Sequence, residues 1–500
     1  MWSNTVTIGI TGYGAYLPHL RLARRVVAEA NAWFAPGLVS KGRGHRCMAN
    51  WDEDAITLAV AAARHATPPS DTRDNIARLL LVSETLPFAE RLNAAVVAGA
   101  LCLPDAVNAA DVSGAQSVAV ASISQLVNAA KAAGETSLLV AASNRRTRAA
   151  SAPELDYGDA AAAVRIGCHS EAQPVLAEVL GTSSRTVDFV DHFRMAGEDV
   201  DYHWEERWVR DEGIGKIAPA AVSEALDRAG VAAAEVDHFI FPTVFKKADA
   251  QLAKRCGIPD AAVADNLSAT VGDSGSAHAL LMLNGVLEKA TPGQTIVLTQ
   301  FGSGMACAVL KVTEHITRFR PATSLAAQLE GGCEETSYTR YLAYKGQLKL
   351  ERGMRGEQDK KTALSTSWRH REALLGFVAG RCSVSGDVHF PPTRISYTPG
   401  KPEQDTQQPY PLADVHGRIL SWSAEYLSSY MAPPHHYGQV DFDGGGRLLM
   451  EFTDVRPGDI DNGSEVKMVF RIKDIDELRG FKRYFWKAKP VTYPENDAQS

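Results

Sequence analysis

The sequence has little of what marks secreted, membrane-spanning or nucleic-acid-binding proteins. Its seven cysteines are an odd number, widely scattered and without a Cys-x-x-Cys pair, so we expect a reducing cytoplasm rather than a disulfide framework. No stretch approaches about eighteen uninterrupted apolar residues, so no membrane span is expected. The first residues show no basic region followed by an apolar run, which predicts no secretory signal. A net charge of −7 argues against non-specific nucleic-acid binding as the main task.

What the chain does contain is a pattern of strands and helices that occurs twice. Its 500 residues exceed what one hydrophobic core supports, so several domains are expected. A strand, a turn opened by Asp, a helix and a second strand follow one another within 79–143 and again within 237–304. Any α/β protein yields some such matches, but the similar spacing and the Asp residues favour duplication. A duplicated α/β fold is therefore the expected class.

The turn at 111–122 is the expected centre of the site. It leads from an apolar strand into a helix and places Gln116 close to the helix N-terminus, where backbone N–H groups would stabilise an anion. Glutamine cannot form an acyl-enzyme, so a site built here lacks a nucleophile.

An insertion at 181–216 separates the two copies. It is rich in aromatic and charged residues, and we interpret it as a lid over a site, with a surface packing insertion as the open alternative. His192 and His203 are candidates for a proton shuttle or for metal ligands. The favoured alternative is that both are surface histidines whose hydrogen bonds are satisfied.

The character of the chain changes after 315. Residues 316–336 lose periodicity and indicate a domain boundary. A polar helical stretch and short strands separated by turn residues follow, which predicts a small β-barrel. The aromatic residues expected in its core are Trp422, Tyr426, Phe452 and Phe470.

Ordered motifs over roughly 1–315 resemble the thiolase superfamily, above all hydroxymethylglutaryl-CoA synthases of the archaeal and bacterial kind and ketoacyl synthase III. The motifs are Gly9-Ile-Thr-Gly-Tyr-Gly, Ser83-Glu-Thr, Ala110-Asp-Val-Ser-Gly-Ala, Gly158-Asp-Ala-Ala-Ala-Ala, Val271-Gly-Asp-Ser-Gly-Ser and Phe301-Gly-Ser-Gly. The resemblance implies a duplicated five-layer α/β fold, usually a dimer.

The C-terminal part resembles the DUF35 family, which combines a helical hairpin, a zinc ribbon and an OB-fold associated with acyl-CoA. Here Cys382 is the ribbon ligand that remains, while Ser385, Ser396 and Pro399 stand where the pattern expects the others. A closed zinc site needs four Cys or His ligands, which His389 alone does not restore, so no zinc is expected.

The expected fold class is thus α/β, with a duplicated five-layer thiolase-like fold followed by a small β-barrel (OB-fold) domain. The expected domains are a thiolase-like domain at 1–315, a linker at 316–336, and a DUF35-like domain at 337–500 with helical hairpin, degenerate zinc ribbon and OB-fold.

The departures from the synthase pattern concern its catalytic residues. Gln116 stands where the resemblance implies the acylated Cys, Pro242 where it implies a His, and Asp273 where it implies an Asn. Glu84 matches the general acid/base of the family. His278 is a candidate replacement for the lost His, with buried packing as the favoured reading.

The resemblance also places Lys246 and Lys247 near CoA phosphates, although either residue fits a solvated surface equally well.

Two functions follow from these residues. The leading hypothesis is a cytoplasmic protein that handles a coenzyme A thioester as substrate and forms or cleaves a C–C bond, by aldol, retro-aldol or decarboxylative chemistry, without a Cys acyl-enzyme. Glu84, Gln116 and Asp273 would carry it. The alternative is an inactive subunit that supports a Cys-containing thiolase-like partner. A homodimer or a hetero-oligomer with such a subunit is expected, and a third reading, in which Cys102 is the nucleophile, is disfavoured by its apolar setting.

Overall fold

The computed structural model describes residues 6–69, 73–361 and 363–491. The chain divides into two compact units. The first takes the described residues up to Gln347, except for 51–53 and 99–103, and the second takes those two short segments and the residues from Leu348 onward. None of the described helices combines the length and apolar character that crossing a membrane requires.

A nine-stranded mixed sheet forms the centre of the first unit. The strands, in spatial order, are His238–Ile240, Thr295–Phe301, Gly304–Val312, Ala177–Thr186, Ile8–Tyr16, Ala160–Cys168, Thr136–Ser143, Ile76–Val82 and Asn108–Val112. The two halves meet where Ile8–Tyr16 pairs with Ala177–Thr186. Outward from that junction the order of the two halves is the same, and each ends in parallel pairs.

This symmetry confirms the predicted duplication. In the second half a single bridge between Phe239 and Val263 stands where the first half has the strand Asn108–Val112.

Two helices, one from each copy, pack against each other within the largest core. They are Val118–Ala133 and His278–Leu287, and both contribute residues to one apolar cluster. The first helix ends at Gly134, whose φ of 66° suits the left-handed C-cap that glycine adopts without strain. The longer flanking helices are Ala55–Ala66, Asn93–Ala100, Gly215–Ala229 and Ala248–Arg255. The helix predicted to follow the turn at 111–122 begins at Val118, within that stretch.

Residues 316–336, predicted as a linker, are folded into the first unit. They include the helix Leu325–Glu330 and the strand Cys333–Glu335, which pairs in parallel with Leu20–Ala23. The next helix, Tyr338–Tyr344, places Tyr341 in a core cluster, where that side chain is 0% exposed. Isolated buried apolar residues hold this segment in place, and such contacts leave no periodic pattern to read. The helix that was expected to begin a hairpin in the C-terminal domain therefore belongs to the first unit.

The second unit contains a five-stranded antiparallel sheet. Its strands, in spatial order, are Arg447–Glu451, His435–Phe442, Gly417–Glu425, Glu465–Asp476 and Phe481–Pro490. Phe452 and Phe470 are buried as predicted. Trp422 and Tyr426 are 40% and 74% exposed, so their assignment to the core was wrong. Trp422 lies in the strand Gly417–Glu425, in which Gly417 and Ile419 are buried and residues 420–424 are exposed, and Tyr426 follows that strand. Their aromatic character alone did not specify which face they occupy.

The degenerate ribbon keeps its shape through hydroxyl groups. The Cys382 Sγ lies 3.1 Å from Thr406 Oγ1 and accepts a hydrogen bond from the Ser385 N–H at 3.3 Å. Thr406 Oγ1 also donates to Ser396 Oγ at 3.4 Å, so Thr406 completes the group. One thiol and three hydroxyls do not supply the Cys and His ligands of a structural zinc site. Among the residues that the structure describes, no cluster of three or more Cys, His, Asp or Glu side chains is arranged to bind a metal.

Candidate functional site

The candidate site is a cavity of about 220 Å³ in the first unit, where the two copies of the fold and the insertion meet. Its lining residues come from three sources: the first copy, the second copy and the insertion. Those that matter below are Gln116, Tyr157, His192, His203, Trp204, Pro242, Asp273, Gln300 and Phe301.

Two glutamine amides line this cavity. Gln116 precedes the helix Val118–Ala133 by two residues, which confirms its predicted place at a helix N-terminus. Gln300 is the penultimate residue of the buried strand Thr295–Phe301 and donates from Nε2 to the Gly275 carbonyl at 2.8 Å. Its Oε1 is buried without a hydrogen-bond partner among the described residues. The cavity therefore has an amide at Gln116, where the resemblance implies a thiol, and a second amide at Gln300.

Arg145 connects the acidic groups of the site. Its side chain is 1% exposed and its Nη2 donates to Asp273 Oδ2 at 2.8 Å. Its Nε lies 3.6 Å from Glu84 Oε1, and its guanidinium carbon lies 3.4 Å from the centre of the Tyr157 ring. Burial alone would lower the pKa of Arg145, but the carboxylates of Asp273 and Glu84 raise it above its ordinary value. Arg145 is therefore a fixed cation around which three functional side chains are arranged.

Asp273 is ionised in this setting. Burial acts to raise the pKa of Asp273, but Arg145 and His278 and the hydrogen bond from the Gly275 N–H outweigh it and lower the pKa below the usual range. That N–H lies 3.1 Å from Asp273 Oδ1. Asp273 is a permanent carboxylate on the cavity wall.

Glu84 lies next to this group, although it is not among the residues that line the cavity. Ser143 Oγ donates to Oε1 and Ser276 Oγ donates to Oε2, each at 2.6 Å. Both carboxylate oxygens are thus oriented by hydroxyl groups, one from each copy of the fold. The side chain keeps 17% of its surface exposed.

The insertion contributes His203, which faces the cavity beside Tyr157. The Tyr157 hydroxyl lies 2.7 Å from His203 Nε2 and 3.1 Å from Asp201 Oδ2. Burial, opposed by Arg145, raises the pKa of Tyr157 well above its ordinary value, so the phenol keeps its proton. Burial and the neighbouring His192, outweighing Asp201, lower the pKa of His203. The pair therefore combines a protonated phenol with a neutral imidazole.

The pKa of His192 is shifted in the opposite direction to that of His203. Its ring stacks on that of His203 with centroids 5.5 Å apart, and its Nδ1 lies 3.1 Å from Asp191 Oδ2. Burial acts to lower the pKa of His192, but the bond to Asp191 outweighs burial and raises it. Two stacked histidines with pKa values shifted apart are typical of acid and base roles.

Some residues singled out in the sequence lie outside the cavity. Lys246 and Lys247 are exposed at the start of the helix Ala248–Arg255, and Lys41 is the cation that lines the cavity itself. His278 is 2% exposed, accepts from the Ser274 N–H at 3.1 Å through Nδ1 and contacts the Asn266 carbonyl at 2.8 Å through Nε2. This confirms its favoured packing role.

Arg145 and Tyr157 were missed by sequence reasoning. Arg145 comes two residues after the buried strand Thr136–Ser143, where side chains at the carboxyl end of a parallel strand often bind ligands. Tyr157 directly precedes the Gly158-Asp motif. These positions are signals that could have identified both residues.

Comparisons of this chain with known families and solved structures agree with the fold described above. Residues 226–313 match the family described as 3-oxoacyl-[acyl-carrier-protein (ACP)] synthase III C terminal, and residues 411–471 match the ChsH2 C-terminal OB-fold domain. The structure of 3-oxoacyl-(acyl carrier protein) synthase III from Pseudomonas aeruginosa has a TM-score of 0.54 at 22% sequence identity, covering 61% of this chain and 98% of that chain. The chain thus has a thiolase-like α/β fold followed by an OB-fold domain of the DUF35 kind.

Within that class, the chain is similar to hydroxymethylglutaryl-CoA synthases. The enzyme of Methanosarcina barkeri is 27% identical over 353 residues, which are 69% of this chain and 99% of the relative. That of Methanosphaera stadtmanae is 26% identical over 351 residues, 68% of this chain and 99% of the relative. A structure of HMG-CoA synthase complexed with CoA has a TM-score of 0.58 at 16% identity, covering 69% of this chain and 91% of that chain. This chain extends beyond these relatives.

Proposed function

We propose that the protein is a cytoplasmic enzyme that forms or cleaves a C–C bond in a coenzyme A thioester without a Cys acyl-enzyme. The observation that carries the proposal is one cavity lined by the Gln116 amide and the Tyr157–His203 pair, with Glu84 next to it at Arg145. The curated relatives act as hydroxymethylglutaryl-CoA synthases, and one similar structure is complexed with CoA, which supports a CoA thioester as the substrate.

Gln116 provides the contact to the thioester. Its amide N–H donates to the thioester oxygen, where negative charge develops when an enolate forms, and the helix N-terminus behind it stabilises that charge further. Asp273 is the polar partner on the opposite wall, held by Arg145. The cations Lys246 and Lys247, together with Lys41, are suited to bind the phosphates of CoA.

Two groups near Arg145 carry the proton transfers: the Tyr157–His203 pair and Glu84. In the cleavage direction, neutral His203, acting through Tyr157, takes the proton of a β-hydroxyl group. The Cα–Cβ bond then breaks, a carbonyl forms, and the electron pair becomes the thioester enolate. Glu84, protonated beforehand from solvent, gives this proton to the enolate carbon, and the proton taken up by His203 is released to solvent, so that both groups return to their starting states. No further reactant is needed, and the reverse sequence is an aldol addition.

Deuterium exchange tests the enolisation step without a second substrate. We expect the purified protein to exchange the methyl protons of acetyl-CoA with D2O, and Glu84→Gln to slow this exchange by about 100-fold or more. Glu90→Gln is the matched control because Glu90 is an exposed surface residue. Intact-mass spectrometry after incubation with acetyl-CoA is expected to show no covalent adduct.

Three possible results would each contradict a different part of the proposal. Exchange that Glu84→Gln leaves unchanged removes Glu84 from the mechanism. A covalent acyl adduct contradicts the role of Gln116, and a wild-type protein that exchanges nothing contradicts the enolising function.

The alternative is the inactive subunit. It is favoured by the replacement of the nucleophile and the His at Gln116 and Pro242, both of which line the cavity. Copurification at fixed stoichiometry with a Cys-containing thiolase-like protein supports this alternative. Turnover by a homodimer alone refutes it.

A further inference from the structure

A second pocket lies within the insertion of the first unit. It has a volume of about 440 Å³, which falls within the range of about 300–1,000 Å³ typical of small-molecule sites. Aromatic side chains dominate its lining, which consists of Asp188, Phe189, Val190, Phe193, Tyr202, Trp204 and Trp208.

These aromatic side chains are unusually accessible. Phe193 is 50% exposed, Tyr202 and Trp204 are each 54% exposed, and Trp208 is 45% exposed. Single exposed aromatic residues are ordinary, but a contiguous apolar patch of this kind marks a binding surface.

The aromatic rings are ordered. Phe189 and Trp208 stack in parallel, with centroids 5.6 Å apart and an interplanar angle of 10°. Phe193 and Tyr202 lie with centroids 5.4 Å apart and ring planes tilted by 43°. A flat ring of a ligand can extend such stacks, which prefer offset-parallel or edge-to-face contacts.

The position of Phe189 depends on Gly213. A Cβ atom at Gly213 would lie 2.6 Å from a ring carbon of Phe189, so any larger residue displaces that ring. Gly213 belongs to the π-helical turn Val209–Ile214, and π-turns within helices occur frequently at functional sites.

The pocket adjoins the reaction cavity. Trp204 lines both spaces. Phe189, which lines the pocket, packs edge-on against Phe301, which lines the cavity, with ring centroids 5.9 Å apart. A molecule that extends from Gln116 past Trp204 therefore passes from a polar site into an aromatic one.

We propose that this aromatic pocket binds a ring-bearing acyl group, aromatic or alicyclic, of the thioester whose carbonyl lies in the cavity. The inference rests on the proposed function, because it assigns a substrate class to that same site. The shared wall at Trp204 places the pocket where the acyl group of a thioester anchored at Gln116 extends. Asp188, the charged residue in the lining, disfavours acyl groups that end in a carboxylate.

Paired thioesters of equal carbon number test the inference. Calorimetry with the full chain compares cyclohexanecarbonyl-CoA and benzoyl-CoA with heptanoyl-CoA, whose acyl group has the same seven carbons, and measures CoA itself as the reference. We expect the ring-bearing thioesters to bind roughly three- to tenfold more tightly than the matched straight chain or CoA. Trp208→Ala and Phe193→Ala should abolish this preference and leave the affinity for CoA unchanged. Trp33→Ala is the control, since Trp33 is 85% exposed and lies outside the pocket.

A third variant, Gly213→Ala, keeps every aromatic residue but displaces Phe189, and it should also reduce the preference. Equal binding of ring and straight-chain thioesters, with CoA still bound, overturns the pocket assignment and leaves the proposed function intact. No binding of CoA or any thioester overturns both. If Trp208→Ala instead changes the mass of the protein in light scattering, the pocket is a contact between copies of the chain and the inference fails.

Discussion

A buried arginine lies among carboxylates in each of the two units, and the two clusters differ in their access to water. Arg145 lies beside Glu84 and Asp273, whose side chains are each 17% exposed. Arg471 binds Glu53 and Asp454, and both of those side chains are 0% exposed. A partly open cluster on a cavity can exchange partners with a ligand, whereas a closed one can only hold the chain together. The same residue types thus indicate function in the first unit and structure in the second.

Disruption of the closed cluster around Arg471 should reduce the stability of the protein more than disruption of the open cluster around Arg145. Arg471→Met removes the buried cation that binds both Glu53 and Asp454, although Lys489 still lies 2.8 Å from Asp454 Oδ2, and we expect the free energy of unfolding to fall by about 3–5 kcal/mol. Urea denaturation followed by circular dichroism measures this change. Arg394→Met is the control, because Arg394 pairs with Asp405 on the surface and should have no measurable effect. An equal effect of the two variants would contradict the structural assignment.

Replacement of Arg145 in the open cluster should reduce the activity of the protein more than its stability. Arg145→Met leaves Asp273 without its cation, but water reaches that carboxylate, so we expect a smaller stability loss of about 1–3 kcal/mol. Exchange of acetyl-CoA protons should fall by about 100-fold or more because Glu84 and Tyr157 lose their common neighbour. Arg148→Met, at an exposed position nearby, is the matched control. Retention of exchange would show that Arg145 serves the fold alone.

The same variant should change the acid stability of the protein. The pKa of Asp273 is lowered in the folded state, so this residue contributes stability above its ordinary pKa of about 3.9. That contribution is lost as pH falls through the lower folded pKa. The stability difference between the wild type and Arg145→Met, measured by urea denaturation at several pH values, should therefore be largest above about pH 4 and should shrink as the pH falls.

The smallest expected effect is in the pH profile. Because burial and His192 lower the pKa of His203, the folded protein keeps this imidazole neutral at pH values where a free histidine, with a pKa of about 6.5, is already protonated. Turnover of a β-hydroxyacyl-CoA should fall only below that pH, and His203→Asn should remove this acid limb. His370→Asn, at an exposed position, is the control. An unchanged acid limb in His203→Asn would assign the titration to another group.

The lowered pKa of His203 also makes the stability of the folded protein depend on pH. A group with a lowered folded pKa binds fewer protons in the folded state than in the unfolded state just below pH 6.5. The His203 contribution to stability therefore rises with pH through that window and is lost in acid.

Much of the first unit could be predicted from local pattern, because strands, turns and helices that repeat in order leave a periodic signal. Gln116 was located in this way, since its position depends on a turn and a helix that adjoin it in sequence. Arg145 was not, because its partner Asp273 is 128 residues away and no local pattern records such a contact. Trp422 was misplaced for a different reason, because its assignment depended on aromatic identity, which does not specify the face of the strand that a side chain occupies.

The pairing of Arg145 with Asp273 also limits how the site can change over time. The resemblance implies Cys, His and Asn where this chain has Gln116, Pro242 and Asp273. Asp273→Asn would leave the buried Arg145 guanidinium with Glu84, at 3.6 Å, and without the closer carboxylate at 2.8 Å. The pair therefore couples the two positions, so that a neutral residue at 273 is tolerated only with a matching change at Arg145.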